Sequence, residues 1–90
     1  MILARVIGTV WATRKDERMH GLKMQIVRPV GLDLKDKEGH LVAVDAVGAG
    51  VGEIVIVVQG SSARQTSFTE SKPVDATIMA IIDKLDVSEK

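Results

Sequence analysis

The 90-residue chain has no cysteine, no tyrosine and only two aromatic residues, Trp11 and Phe68. Without cysteine, disulfide bonds and thiolate chemistry are excluded, which suits a reducing compartment. Twelve basic and twelve acidic residues cancel, so no charge excess points to nucleic acid or anionic lipid. No run approaches the ~18 apolar residues of a membrane span, and Arg5 interrupts the apolar start that a signal peptide would need. The composition predicts a soluble, cytoplasmic protein.

The chain has aliphatic side chains in abundance. Hydrophobic residues make up 46% of the sequence although aromatic residues make up only 2%. A chain of this length is predicted to form a single domain, 1–90, which buries only about 60% of its unfolded surface and therefore gains from association. Aliphatic surface beyond what so small a core absorbs predicts a buried contact between subunits. Trp11, at the end of an apolar strand, is expected in the core or in such a contact.

Alternating apolar residues bounded by turn signals predict four strands, over 2–11, 22–30, 41–47 and 53–59. The last contains IVIVV, whose β-branched side chains would each lose χ1 freedom in a helix. One helical turn is predicted at 62–66. The segment 74–87 fits either a helical stripe or a fifth strand. This pattern predicts a mostly β protein, a small antiparallel barrel or sandwich, in which closure protects the apolar sheet edges.

The glycine run Gly48, Gly50, Gly52 does not match a cofactor site. Its spacing is G-x-G-x-G rather than the G-x-G-x-x-G of dinucleotide sites, and a strand follows it instead of the helix that would hold a pyrophosphate. A tight turn with close backbone packing is the better interpretation.

Histidines and serines also lack the companions that catalysis needs. His20 and His40 stand in polar turns without metal-ligand partners at useful spacing. Ser61 and Ser62 have no histidine nearby in sequence and no G-x-S-x-G elbow around them. We therefore predict no catalytic, cofactor-binding or metal-binding residue, and no enzyme activity.

Three charged residues merit a structural interpretation. Asp45 is predicted in mid-strand among valines and alanines, where a charge is costly unless it is paired. Arg64 is a candidate partner for Asp45, and Glu53 is expected to pair with another arginine. A carboxylate pair for acid–base work has no supporting feature. We expect structural ion pairs, or pairs across a subunit interface.

A five-stranded barrel also suggests the OB fold. Many OB-fold members bind single-stranded nucleic acid through exposed aromatic residues and a basic groove. This chain has one Trp, one Phe and no net positive charge. An OB-like architecture without that function is favoured, and an OB-type binding module for single-stranded nucleic acid or another ligand is the alternative.

Residues 42–64, VAVDAVGAGVGE followed by IVIVVQGSSAR, resemble the most distinctive stretch of bacterial microcompartment vertex proteins, the EutN/CcmL-like family. The opening MILARVIGTVWATRK is similar to that family's first strand, GLKMQIV at 21–27 to its second, and SKPVDATIMAIID at 71–83 to its closing segment. The loops 14–20 and 31–39 show no family pattern and are candidates for system-specific contacts.

The resemblance implies a small five-stranded OB-like β-barrel with one short helix that assembles as a cyclic homopentamer, with 77–86 as the fifth strand. It also implies a structural role in the cytoplasm: pentamers cap the five-fold vertices of an enzyme-enclosing shell whose facets are hexameric shell proteins. No cofactor, nucleic acid or membrane is implied.

Site expectations follow from that resemblance. We expect Gly60, Ser61 and Ser62 to line an axial pore. The subunit interface is expected to include Asp45, Gly48, Gly50, Gly52, Glu53 and Arg64. Gly50→Val is predicted to impair assembly, either through a positive φ or through a close contact.

Overall fold

The computed structural model describes residues 1–13 and 15–88. Its five strands are β1 (Ile2–Val10), β2 (Met24–Pro29), β3 (Leu41–Asp45), β4 (Ile54–Gln59) and β5 (Ala76–Ile82). The mostly β class and the fifth strand are confirmed. The helical turn predicted at 62–66 is a 3₁₀ helix over Gly60–Arg64, and a second 3₁₀ helix, Glu17–Met19, was not predicted. Neither of these described helices has the length and apolar character to cross a membrane.

The strands close into a barrel in the order β1-β2-β3-β5-β4. Four neighbouring pairs are antiparallel, but β3 and β5 run parallel, with Val44 opposite Thr77 and Asp45 opposite Ile78. The prediction of an antiparallel barrel is therefore wrong for this pair. Because β5 lies between β3 and β4, these two consecutive strands do not pair with each other.

Small and β-branched side chains fill the barrel interior. Nine buried residues form the core: Ala4, Val6, Val27, Ala43, Ala49, Val55, Val57, Ala76 and Ile78. Barrel diameter grows with strand number, so a five-stranded barrel has a narrow interior. The scarcity of aromatic residues in the sequence is therefore consistent with this narrow interior, which small side chains can fill. Trp11 is 90% exposed, so of its two expected places the core is wrong and a subunit contact stays a prediction.

A β-bulge changes the side-chain phase of β1. Its pairing register with β2 shifts between Val6 and Gly8, and Thr9 then lies opposite the buried Gln25. Val6 and Thr9 consequently both face inward, although strict alternation would place them on opposite faces. The bulge lets β1 contribute a hydroxyl group to a buried polar cluster at one end of the barrel.

The connection between β1 and β2 contains a turn held by one exposed ion pair. The Arg18 guanidinium donates to both carboxylate oxygens of Asp16 at 3.0 Å, and the Arg18 backbone N–H donates to the same carboxylate at 2.9 Å. These bonds favour the ionised carboxylate, so they lower the pKa of Asp16 from 3.8 to about 2.

We expect the Asp16 carboxyl in the folded protein to titrate near its lowered pKa of about 2. Because the folded-state pKa is depressed, its stabilising contribution is complete above the ordinary value and is lost as the pH falls through the folded value. Side-chain NMR titration measures this directly. Arg18→Ala should return the pKa toward 3.8, and Lys15→Ala serves as the control. An ordinary Asp16 pKa in the unchanged protein would contradict the ion pair.

Candidate functional site

The glycine-rich segment 46–53 crosses one end of the barrel from β3 to β4. The Ala46 N–H donates to the Ile78 carbonyl at 3.3 Å. At the other side of the crossing, the Gly52 N–H donates to the Val6 carbonyl at 2.8 Å. The side chain of Ala49 is buried as part of the core. The segment therefore closes this end of the barrel, rather than forming a hairpin between two paired strands.

The carboxylate of Asp45 holds this crossing segment in place. It accepts hydrogen bonds from the backbone N–H groups of Val47 at 2.9 Å, Gly48 at 2.8 Å and Ala49 at 2.8 Å. These three donors satisfy the charge, so Asp45 forms no intrachain ion pair with Arg64. The expectation of an intrachain pair is wrong because backbone donors at the strand end replace the cation.

The other two charged residues also bind backbone groups of their own chain. Arg64 donates to the Val74 carbonyl at 2.9 Å, and Glu53 accepts from the Gly50 N–H at 2.6 Å. Neither forms an ion pair among the described residues. Within one subunit, the predicted charged residues therefore stabilise turns.

Gln25 is a residue of this site that sequence reasoning missed. It is 1% exposed. Its side-chain oxygen accepts from the Thr9 hydroxyl at 2.8 Å, and its amide nitrogen donates to the Ala49 carbonyl at 2.8 Å and to Asp45 at 3.3 Å. Gln25 thus links β1, β3 and the crossing segment. The sequence indicates this role only through alternation: Gln25 and Val27 lie two residues apart in β2 and therefore on the same, inward face.

The three glycines of the segment differ in backbone conformation. Gly48 and Gly52 adopt φ values of 78° and 94°, which disfavour any side chain. Gly50 has no such value, but an added Cβ would lie 3.3 Å from the carboxylate of Glu53. Of the two reasons expected for sensitivity at Gly50, only the close contact applies. The positive-φ requirement belongs to its two neighbours.

We expect Gly52→Ala to lower the free energy of unfolding by about 1–2 kcal/mol, because the new side chain is forced into a left-handed conformation. Gly50→Ala is the matched control and should cost less than roughly 0.5 kcal/mol, because the exposed Glu53 side chain has to shift by only a few tenths of an ångström and can keep its hydrogen bond. Urea denaturation at one protein concentration measures both. A larger loss at Gly50 than at Gly52 would contradict the assigned backbone conformations.

The other predicted site, GSSAR, lies at the opposite end of β4. The Gly60 N–H donates to the Asp75 carbonyl at 2.8 Å, and the buried Thr77 hydroxyl donates to the Ala63 carbonyl at 2.7 Å. Ser61 and Ser62 are exposed. The short helix is therefore fixed on its inner side and presents two small hydroxyl side chains to the surroundings.

The length of β4 separates the two candidate regions. Its six residues span roughly 20 Å at a rise of ~3.3 Å per residue. Arg64 accordingly lies with the serines, away from Asp45 and the glycines. Among the described residues, no group of three or more His, Asp and Glu side chains is positioned to hold a metal ion, and His20 and His40 are both exposed.

Comparisons with known proteins cover nearly the whole chain. A family sequence model described as "Ethanolamine utilisation protein EutN/carboxysome" matches residues 1–83. The carboxysome shell vertex protein CcmL of Nostoc sp. strain PCC 7120 is 43% identical over 96 residues, covering 100% of this chain and 90% of the relative. The bacterial microcompartment shell vertex protein GrpN of Rhodospirillum rubrum is 43% identical over 86 residues, covering 96% and 97%.

Solved structures agree in fold with this chain. The structure of Gloeobacter violaceus CcmL superimposes with a TM-score of 0.93 at 38% identity, covering 98% of this chain and 91% of the other. The structure described as the GrpN pentameric microcompartment shell protein from Rhodospirillum rubrum gives a TM-score of 0.88 at 42% identity, covering 97% and 99%.

Proposed function

Because this chain belongs to the EutN/CcmL family, we propose that it is a structural subunit of a bacterial microcompartment shell, five copies of which form a ring at a five-fold vertex. The observation that carries the proposal is the end-to-end similarity to GrpN, described as a pentameric microcompartment shell protein, at a TM-score of 0.88 and 42% identity. The role is structural rather than enzymatic, and its place is the shell of a compartment in the cytoplasm.

The geometry of a closed shell explains why such a subunit is needed. Flat sheets of six-fold tiles cannot close into a polyhedron, and five-fold corners supply the missing curvature. The partners of this chain are accordingly four further copies of itself and the hexameric shell proteins around the vertex. Neither nucleic acid nor membrane has a part in this role.

The barrel supports the finer description of the fold. The strand order β1-β2-β3-β5-β4 with a parallel β3–β5 pair is consistent with an OB-like barrel, in a single vertex domain over residues 1–90. The OB-type binding module for single-stranded nucleic acid is the weaker alternative. The relatives that match the whole chain are named as shell vertex proteins.

The two candidate regions have different places in the proposed ring. Gly60, Ser61 and Ser62, which are small and exposed at one end of the barrel, line the axial opening. The interface includes residues near both ends of β4: Asp45, Gly48, Gly50, Gly52, Glu53 and Arg64. The intrachain hydrogen bonds of Asp45, Glu53 and Arg64 to backbone groups support the proposal that these residues shape the turns at the interface.

Native mass spectrometry tests the assembly state. We expect a species of five 9.7 kDa subunits and incorporation into closed shells when the chain is co-expressed with hexameric shell proteins. A stable monomer or a hexamer would rule out the vertex role. Binding of single-stranded oligonucleotides that weakens with added salt would instead support the alternative.

A further inference from the structure

One side of the barrel carries an apolar groove on the outer surface of β2 and β3. Met24 lies opposite Val44 in this pair of strands, and their outward direction follows from the inward direction of Gln25, Val27 and Ala43. The groove has a volume of about 220 Å³. We call it the β2–β3 groove; its apolar lining is Met19, Met24, Val42, Val44, Pro73, Val74 and Ala76.

The groove is open to solvent at Val42. The Val42 side chain is 47% exposed, although it sits in a strand whose next two residues are buried. The two methionines are flexible, polarizable side chains that adapt to the shape of an incoming apolar surface. The groove therefore has room for one or two aliphatic side chains, and Asp75 is the one charged residue of its lining.

A second apolar surface lies on the outer side of β4. Val55 and Val57 point into the core, so Ile54 and Ile56 point outward and are half-buried. A strand of a mostly antiparallel sheet that faced water on one side would alternate apolar and polar residues. Because β4 is apolar on both faces, its outer face is expected to be covered by another surface.

Neighbouring strands and loops extend this surface. Leu3 lies opposite Ile56, and Ile82 lies opposite Ile54. Leu34 and Leu85 line a small cavity with Ile54 and Ile82. We call this surface the β4 face; it comprises Leu3, Leu34, Ile54, Ile56, Ile82 and Leu85.

The backbone of Leu34 is held in an unusual conformation beside the β4 face. Its φ of 63° is one that a leucine rarely adopts. The Arg5 guanidinium donates to the Leu34 carbonyl at 2.8 Å and to Asp36 at 3.3 Å, which fixes the loop against β1. The loop thus maintains a strained leucine at the edge of the face, a pattern that is found at functional surfaces.

We propose that the β4 face of one subunit occupies the β2–β3 groove of the next subunit in the pentameric ring. This inference rests on the proposed function. A cyclic ring of identical subunits requires a heterologous contact, in which one patch meets a different patch on the neighbour. The two surfaces meet this requirement: one is a groove, the other is a sheet face, and β1 and β5 separate them around the barrel.

Charges at the borders of the two surfaces agree with this pairing. Asp75 is an exposed residue of the groove lining, and Asp83 and Lys84 are exposed residues of the cavity beside the β4 face. The contact brings Lys84 toward Asp75 while the apolar residues meet in the middle. Apolar centres with charged rims are the usual composition of subunit interfaces.

The absence of cysteine permits a direct crosslinking test. We expect the double variant Val42→Cys with Ile56→Cys to give, on oxidation, a ladder of covalent species up to five subunits on a denaturing gel. Each single variant should give monomers, because a heterologous contact never brings a residue to its own copy. Disulfide-linked dimers of Val42→Cys alone would show a two-fold contact and overturn the proposal.

A charge substitution provides a second readout that does not depend on disulfide geometry. We expect Val42→Asp to reduce the pentamer fraction at least tenfold in native mass spectra, with circular dichroism showing a folded β protein. Phe68→Asp is the control, since Phe68 is 59% exposed and lies outside both surfaces. Retention of pentamers by Val42→Asp, or their loss in both variants, would overturn the assignment.

The outcome for the unmodified chain separates this inference from the proposed function. Pentamers of the unmodified chain without a crosslinked ladder in the double variant would show that the ring uses other surfaces, with the vertex role intact. Failure of the unmodified chain to form pentamers would contradict the proposed function itself.

Discussion

Ile78→Ala is expected to lower the free energy of unfolding by roughly 2–5 kcal/mol, the usual cost of truncating a buried isoleucine. Ile78 is the largest fully buried side chain among the described residues, at 0% exposure. It lies where the two kinds of strand pairing meet, opposite Asp45 in parallel β3 and opposite Val57 in antiparallel β4. Each surrounding strand is hydrogen-bonded to a strand on either side. The strands therefore have little freedom to move into the cavity that the substitution leaves.

Met79→Ala is the matched control for this prediction. Met79 is the next residue of β5, is 37% exposed and lies at the register shift between β5 and β4. Its truncation should cost less than about 1 kcal/mol. Thermal unfolding at one fixed subunit concentration measures both, since association also stabilises the fold; about 4–8 °C is expected per kcal/mol. Equal losses would mean that β5 does not have the assigned inward phase.

Asp45→Ala is expected to release the crossing segment and to cost roughly 2–4 kcal/mol, since hydrogen bonds to charged acceptors contribute ~1.5–3 kcal/mol each. Three backbone N–H groups lose their acceptor. Those of the exposed Val47 and Gly48 can turn to water. The Ala49 N–H and the Gln25 amide are less exposed, so most of the loss is expected there.

Amide hydrogen exchange gives the most specific readout of this variant. Exchange at Ala49 should accelerate by roughly tenfold for every 1.4 kcal/mol of local stability lost. Asp86→Ala, at an exposed position near the C-terminus, is the control and should leave that exchange unchanged. Asp45→Asn should fall between the two, because one amide oxygen remains as an acceptor. Unchanged protection at Ala49 in Asp45→Ala would contradict the capping role.

The strands could be predicted from the sequence because their local signals agree. IVIVV in β4 is β-branched at every position, and inward alternation marks Val27 and its neighbours in β2. Strand ends were less accurate: β3 ends at Asp45 rather than at 47, because the carboxylate of Asp45 bends the next residues into a turn. β5 ends at Ile82 rather than at 86.

The parallel β3–β5 pair could not be predicted from periodicity. Inward and outward alternation looks the same for parallel and antiparallel neighbours, and the choice depends on where a strand distant in sequence enters the barrel. The bulge in β1 is a further non-local feature. The bulge turns Thr9 toward Gln25, and no single residue of β1 indicates that a bulge forms there.

For the candidate site, the sequence indicated which residues are important better than it indicated their hydrogen-bond and ion-pair partners. The turn predicted at the glycines of 48–52 is confirmed by the positive φ of Gly48 and Gly52. Close backbone packing is not confirmed there, because an added Cβ at either glycine would meet no atom within 4 Å. The candidate pair of Asp45 with Arg64 within one chain was wrong, because a sequence does not show which backbone N–H groups lie near a side chain. A pair across a subunit interface stays a prediction. The places of Gly60, Ser61 and Ser62 in the ring stay predictions, since they concern contacts between subunits.

The position of β5 has a consequence for biosynthesis. β5 comes last among the strands of the described chain, yet it lies between β3 and β4. While a nascent chain emerges from the ribosome, β3 and β4 each keep an unpaired edge until residues 76–82 are free. The same residues supply Ile82 of the β4 face. A chain that stops before residue 76 therefore cannot close this barrel, because β3 and β4 do not pair with each other.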